Sequence, residues 1–381
     1  MSRVAVASNI LLWALDRSNL SADQLKHKFP KIGQWISGES QPTLRQLEYL
    51  AKVTLTPLGF FFLDKPPQER LPVPYFRTLG DNGPSRPSPD LLETIQSMQR
   101  RQLWKREFLK EQGNEPLNFV GAVPTDSPPQ VTAEIMRRTL GFQEGWASEL
   151  STWADALRLL LDTTEQTGII AVANGIVGNN THRKLDPNEF RGFVLVDEYA
   201  PLVFINGADG KAAQMFTLAH ELAHIFYGSS AAFDLREMLP ADDPTEQACN
   251  RAAAEFLVPG FFLLRYWPSI KTEEEPFQAI ARRFKVSAIV AARRVLDLGL
   301  ITRKEYFTFY ENWLADDRRT SARRVSGGDF YANQNLRIGK RFFSTILRAA
   351  REGKLLYTEA YQLTGLFGKS FDNYASHLGM M

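Results

Sequence analysis

The chain has 381 residues, 44% apolar and 23% charged, with a formal net charge of +2, one cysteine and five histidines. That apolar fraction supplies real cores, which excludes collagen-like, low-complexity and globally disordered chains, and the length calls for more than one domain. The lone Cys249 closes no internal disulfide and no apolar stretch approaches the ~20 residues that span a bilayer, so a cytoplasmic protein without a membrane segment is expected.

The apolar run from Asn9 to Leu15 stops at Asp16 and Arg17 without a small-residue cleavage site, and is read as a helix, not as a signal peptide. Residues 1–66 read as a compact helical unit that closes on Leu58, Phe60, Phe61, Phe62 and Leu63. Prolines at 72, 74, 84, 87 and 89 and the turn Gly80-Asp81-Asn82-Gly83 then mark a boundary. Residues 67–165 are expected to be a proline-punctuated connector and helical region. Helical spacing links Leu91, Ile95, Met98, Leu103 and Phe108, with Ser88 as cap, and returns through Ile135, Leu140, Trp153, Leu157 and Leu160. Short apolar runs at 168–172, 192–196 and 202–205 predict a small sheet, and helical patterning resumes from 211. The expected fold class is multidomain, mainly α with a small β-sheet (α+β).

The chemistry concentrates in Lys211 to Gly228, where His220-Glu221-Leu222-Ala223-His224 sits among apolar neighbours that predict a buried helix. Positions i and i+4 share a helix face, so both imidazoles can reach one Zn²⁺ with Glu221 beside them. Such a zinc acidifies a water, and the glutamate moves that water's proton to a leaving amine. The alternative is two core histidines on an amphipathic helix, which would leave Glu221 buried and unpaired.

A catalytic zinc usually takes a third protein ligand. Glu246, 22 residues beyond His224, is the candidate. It has a competing role, because Asp243, Pro244 and Glu246 also fit a capping box in which Glu246 turns back to the Asp243 N–H. Asn250, one turn on, is placed to orient a ligand histidine. Glu255 is a fallback ligand, and Cys249 reads as a small buried hydrophobe. Val203, Phe204, Ile205 and Asn206 form a strand that either aligns a peptide by β-addition or is ordinary core. His182 is read as a loop residue, solvated or steadying an oxyanion.

Phe216 to His224, preceded by Pro201-Leu202-Val203-Phe204-Ile205-Asn206-Gly207 and followed by Glu246 to Pro259, resembles the ImmA/IrrE family of zinc metallopeptidases, over the stretch from Gly168 to Pro259. Cys249 stands where the family has alanine, and Ala252 where it has phenylalanine. The resemblance implies a zincin-like, gluzincin-type domain within 166–300, zinc held by His220, His224 and Glu246, and Glu221 as base. It also implies an endopeptidase that cuts a repressor, an antitoxin or a related regulator in stress, prophage or toxin-antitoxin control.

The N-terminal unit resembles XRE-type helix-turn-helix domains through Leu20 to Leu25, with Ser21 as cap, and through Ile32, Trp35, Gly38, Pro42-Thr43-Leu44, Leu47, Leu50-Ala51 and Pro57. It implies DNA as a partner, through Lys26, Lys28, Lys31, Gln34 and Arg45; residues 1–80 hold ten Lys/Arg against six Asp/Glu. About one helical turn is missing between Leu25 and Trp35, and Pro30 interrupts that stretch, so the module recruits either substrate or DNA.

A second helix-turn-helix-like pattern, Ala279 to Arg294 with Arg282, Arg283, Arg293 and Arg294, is expected to pack on the catalytic domain. Residues 301–381 read as a helical C-terminal region preceded by a linker with Arg318, Arg319, Arg323, Arg324 and Gly327-Gly328. The rival reading of the whole is a DNA-binding regulator or antitoxin with a structural or vestigial zinc site, partnered by a toxin from a neighbouring gene.

Overall fold

In the computed structural model, residues 3–18, 20, 22–69, 87–229, 231–233, 243–315 and 330–380 are described. Ser21, the prolines at 72, 74 and 84, the turn at 80–83 and the arginines at 318–324 with Gly327-Gly328 lie outside them. Contacts divide the chain into two units, the first covering the described residues up to 95 and the second those from 96 onward.

Four short helices build the first unit: α1 (Ser8–Arg17), α2 (Ala22–Lys28), α3 (Ile32–Ser37) and α4 (Leu44–Val53), followed by a 3₁₀ turn at Leu58–Phe62. Thr43 starts α4 with a capping box, its Oγ1 accepting from Gln46 N at 3.3 Å while Gln46 Oε1 accepts from Thr43 N at 2.9 Å. The core is Ile10, Leu11, Leu47, Leu50 and Phe61, with Phe29 and Trp35 packed around it. α3 has only six residues, as Pro30 and the shortened spacing before Trp35 lead one to expect. α5 (Pro89–Glu111) runs from the first unit into the second, and Ser88 Oγ accepts from Leu91 N at its start.

In the second unit α6 (Pro129–Leu140) and α7 (Trp153–Gln166) precede a four-stranded sheet. Its strands are β1 (Ile170–Asn174), β4 (Gly192–Leu195), β5 (Leu202–Asn206) and β6 (Ala231–Phe233), in the order β1-β5-β4-β6; β2 (Ile176–Val177) and β3 (Asn180–Lys184) form a separate hairpin. β1 is parallel to β5, whereas β4 is antiparallel to both β5 and β6. β5 is therefore an interior strand.

α8 (Lys211–Tyr227) packs on β4 and β5, with α6, α7 and α9 (Pro244–Leu257) around its other sides. Every residue of α8 from Gln214 to Tyr227 is buried, which accounts for a helix that is apolar nearly all round. It ends at Gly228, whose positive φ of 74° lets Ser229 N reach the His224 carbonyl at 3.0 Å.

α10 (Gly260–Ile270), α11 (Pro276–Phe284), α12 (Ala288–Asp297) and α13 (Arg303–Ala315) continue the chain. α11 and α12 are the second helix-turn-helix-like segment. Ile280, Phe284, Val290 and Val295 join the main core, and Trp153 Nε1 on α7 donates to the Val286 carbonyl in the turn at 2.9 Å. Finally α14 (Phe330–Ile338) lies against β1, and α15 (Lys340–Arg351), α16 (Tyr357–Thr364) and α17 (Lys369–His377) gather around Phe343, Phe371 and Tyr374. No helix among the described residues is long and apolar enough to cross a membrane.

Candidate active site

α8 carries His220 and His224 one turn apart, and α9 returns alongside it with Glu246 in its first turn. The imidazole Nε2 atoms lie 3.1 Å from each other; Glu246 Oε2 is 3.1 Å from His220 Nε2, and Glu246 Oε1 is 3.2 Å from His224 Nε2. Among the described residues these three form the one cluster that could hold a metal ion. Tetrahedral ligand atoms 2.0–2.1 Å from a zinc lie about 3.3 Å apart, close to the spacings found. All three side chains are buried.

The capping role competing for Glu246 falls to another residue. Asp243 Oδ1 accepts from Thr245 N at 2.8 Å and Glu246 N at 3.1 Å, so the helix is capped while the Glu246 carboxylate turns to the histidines. Asn250 Oδ1 lies 3.1 Å from His220 Nδ1 and accepts its proton, which leaves Nε2 as a lone pair aimed at Glu246. Burial holds the His220 ring down at about 4, so it is neutral near pH 7. A lone pair facing a carboxylate oxygen at 3.1 Å is repulsive by itself. A cation between them removes that repulsion, and the donor set fits zinc.

Glu221 is fully buried, and neither carboxylate oxygen has a hydrogen-bond partner among the described residues. Burial, with the negative charge of Glu246 added to it, pushes its carboxyl well above the ordinary value. Its near neighbour is Gly192, the first residue of β4, where a side chain would press on Oε1. Sequence reading missed Gly192. A glycine opening the Gly-Phe-Val-Leu run was visible, but only strand register brings it to Glu221.

Glu255 is not a ligand. Its Oε1 accepts from Gly260 N at 3.1 Å and its Oε2 pairs with Arg294 of α12, whose Nε donates to the Val258 carbonyl at 3.0 Å. Arg294 is thus spent on the end of α9. Arg283 lies over the Tyr266 ring, Arg282 pairs with Glu275, and Arg293 pairs with Asp297. Cys249 is buried and stands outside the metal-binding cluster.

The peptide-aligning role expected for Val203, Phe204, Ile205 and Asn206 is corrected by the sheet order. β5 is hydrogen-bonded to β1 on one side and to β4 on the other, so no backbone edge is left for a substrate. Asn206 instead fixes the turn into α8, its Oδ1 accepting from Ala208 N at 3.0 Å and its Nδ2 donating to the Phe190 carbonyl at 3.1 Å. The outer strands of this sheet are β1 and β6. His182, expected in a loop, lies on β3 of the hairpin and is exposed. Lys26, Lys28, Lys31, Gln34 and Arg45 are exposed on the first unit.

Residues 168–296, from the start of β1 through α12, match the model of the IrrE N-terminal-like domain, Peptidase_M78. The match supports a peptidase of the ImmA/IrrE type, a family that is typically metal-dependent. Residues 338–377, which hold α15 to α17, match a domain of unknown function, DUF8813. No curated protein matches the chain.

Proposed function

We propose that the chain is a zinc-dependent endopeptidase that cleaves a regulatory protein. The observation that carries this reading is the convergence of His220, His224 and Glu246 around one point with Glu221, buried and without a hydrogen-bond partner among the described residues, on the same helix. Bound zinc would acidify a water and polarise the scissile carbonyl. Glu221 would accept a proton from the attacking water onto its carboxylate and pass it to the departing amine nitrogen. Asn250 holds His220 in the tautomer whose Nε2 lone pair faces His224 and Glu246. α8 packs on β4 and β5, β6 is paired to the outer side of β4, and an extended substrate adds to the outer edge of β6 by backbone hydrogen bonds.

The ImmA/IrrE likeness supports a repressor, antitoxin or related regulator as substrate, in stress, prophage or toxin-antitoxin control, and a cytoplasmic site of action. The decisive measurement compares the wild-type chain with Glu221→Gln against the protein encoded by the neighbouring gene. Glu221→Gln is expected to retain about one zinc per chain, by metal analysis, and to lose cleavage. Cleavage retained by Glu221→Gln, or a wild-type chain that takes up no zinc, sinks the proposal.

DNA recognition by the first unit is a second reading, favoured by the exposure of Lys26, Lys28, Lys31, Gln34 and Arg45. A recognition helix of six residues, α3, presents little to a major groove, so the unit serves recruitment more readily than base reading. Gel shifts over a salt series decide it: absence of binding at low salt removes DNA as a partner.

A further inference from the structure

A cavity of about 440 Å³ opens in the second unit between α5, the turn from α7 into β1, and α15. No residue of the candidate active site lines it, and its size is that of small-molecule sites. One end is cationic and hydroxylic. Lys105 Nζ donates to Thr345 Oγ1 at 2.8 Å, and Arg341 Nη1 donates to the Gln166 carbonyl at 3.2 Å. Each keeps further N–H donors, and neither makes an ion pair among the described residues. Ser344 adds a hydroxyl.

The other walls are apolar, from Leu117, Ile169 and Phe342. Two carboxylates also line the cavity. Glu165 is 93% buried, burial raises its carboxyl to about 7, and its Oε2 accepts from Lys340 N at 3.2 Å; Glu115 is exposed at the rim. Lys105 is lowered to about 8 by burial and by the charges of Arg348 and Arg341, the environment that a bound anion relieves.

We propose that this cavity is a binding site for a small organic anion, with a phosphate or carboxylate held by Lys105, Arg341 and Ser344 and an apolar body against Leu117, Ile169 and Phe342. The site is separate from the peptidase reading and stands or falls without it.

Calorimetric titration of the full chain with phenyl phosphate is the test, with inorganic phosphate and benzoate as arms that separate the two head groups. Saturable binding of phenyl phosphate or benzoate is expected, weakened about ten-fold in Lys105→Met and in Arg341→Gln, a loss of about 1.4 kcal/mol. Phenol, which lacks the anion, is expected not to bind. Glu115→Gln, an exposed change that leaves the fold alone, is expected to tighten binding by removing a repelling charge at the rim. The absence of saturable binding by any of the three anions overturns the proposal. So does affinity unchanged in Lys105→Met, which would place the anion elsewhere, or affinity unchanged or weakened in Glu115→Gln.

Discussion

Glu221 Oε1 lies against the α-carbon of Gly192: a β-carbon added there would stand 3.0 Å from that oxygen, 2.9 Å from the Phe204 carbonyl oxygen and 2.7 Å from Thr217 Cγ2. The carboxylate proposed as the base is thus seated by a strand 29 residues earlier in the chain. Gly192→Ala must push back β5, Thr217 or Glu221. Overpacking of this kind costs about 1–3 kcal/mol. We expect a lower thermal midpoint together with a kcat reduced at least about ten-fold at nearly unchanged KM, since a small displacement of a catalytic group is costly. A variant that melts earlier but turns over normally would show that Gly192 serves packing alone.

Asn250 orients His220 through one hydrogen bond. Removing the outer partner of a ligand histidine typically costs about 10–100-fold in metal affinity. Asn250→Ala is expected to show that loss in a chelator competition, whereas Asn250→Asp, which keeps an acceptor oxygen, recovers most of it. Equal zinc affinity in all three chains would leave Asn250 without a role at the metal.

The Glu255–Arg294 pair joins the end of α9 to α12 and is buried on both sides. Deleting one member of such a pair strands a charge and costs about 3–5 kcal/mol. Arg294→Met should therefore destabilise the chain strongly in urea unfolding, and Arg294→Met with Glu255→Met together should cost less than Arg294→Met by itself. A double variant as unstable as the sum of the two singles would contradict this account.

Glu165 supplies a pH dependence. Its folded value of about 7 stands above the ordinary value of 4.5, chiefly through burial and then through Asp162. Below pH 4.5 both folded and unfolded chains hold the proton. Between 4.5 and 7 only the folded chain does, so stability falls as pH rises through that window, by at most about 3 kcal/mol, and levels off above it. Glu165→Gln should remove this decline and exceed the wild type in stability at pH 8, with the difference shrinking toward pH 5. Parallel stability curves for the two proteins would refute the assignment.

Much of this was legible because it is local. The four-residue spacing of His220 and His224 puts them on one helix face in any helix, and the Asp243-Pro244 start of α9 and the Ser287 start of α12 are capping chemistry that needs no partner. The short apolar runs at 168–172 and 202–205 likewise announce strands, found at 170–174 and 202–206. Strand order was not legible. Alternation and composition are the same for an edge and an interior strand, so the sequence suggested Val203 to Asn206 as a substrate edge where pairing to β1 and β4 closes it. The sequence put Glu246 forward as the ligand but left it a competing use as a cap, with Glu255 as fallback. Tertiary packing resolved this: α9 laid antiparallel to α8 turns Glu246 to the histidines, while α12 brings Arg294 to Glu255. Sequence by itself determined which helices form and which residues they carry, because capping and periodicity act within a few residues. Only the tertiary structure decided which carboxylate meets the imidazoles, which strands lie outermost in the sheet and what lies against Glu221, because those depend on contacts between segments far apart in the chain.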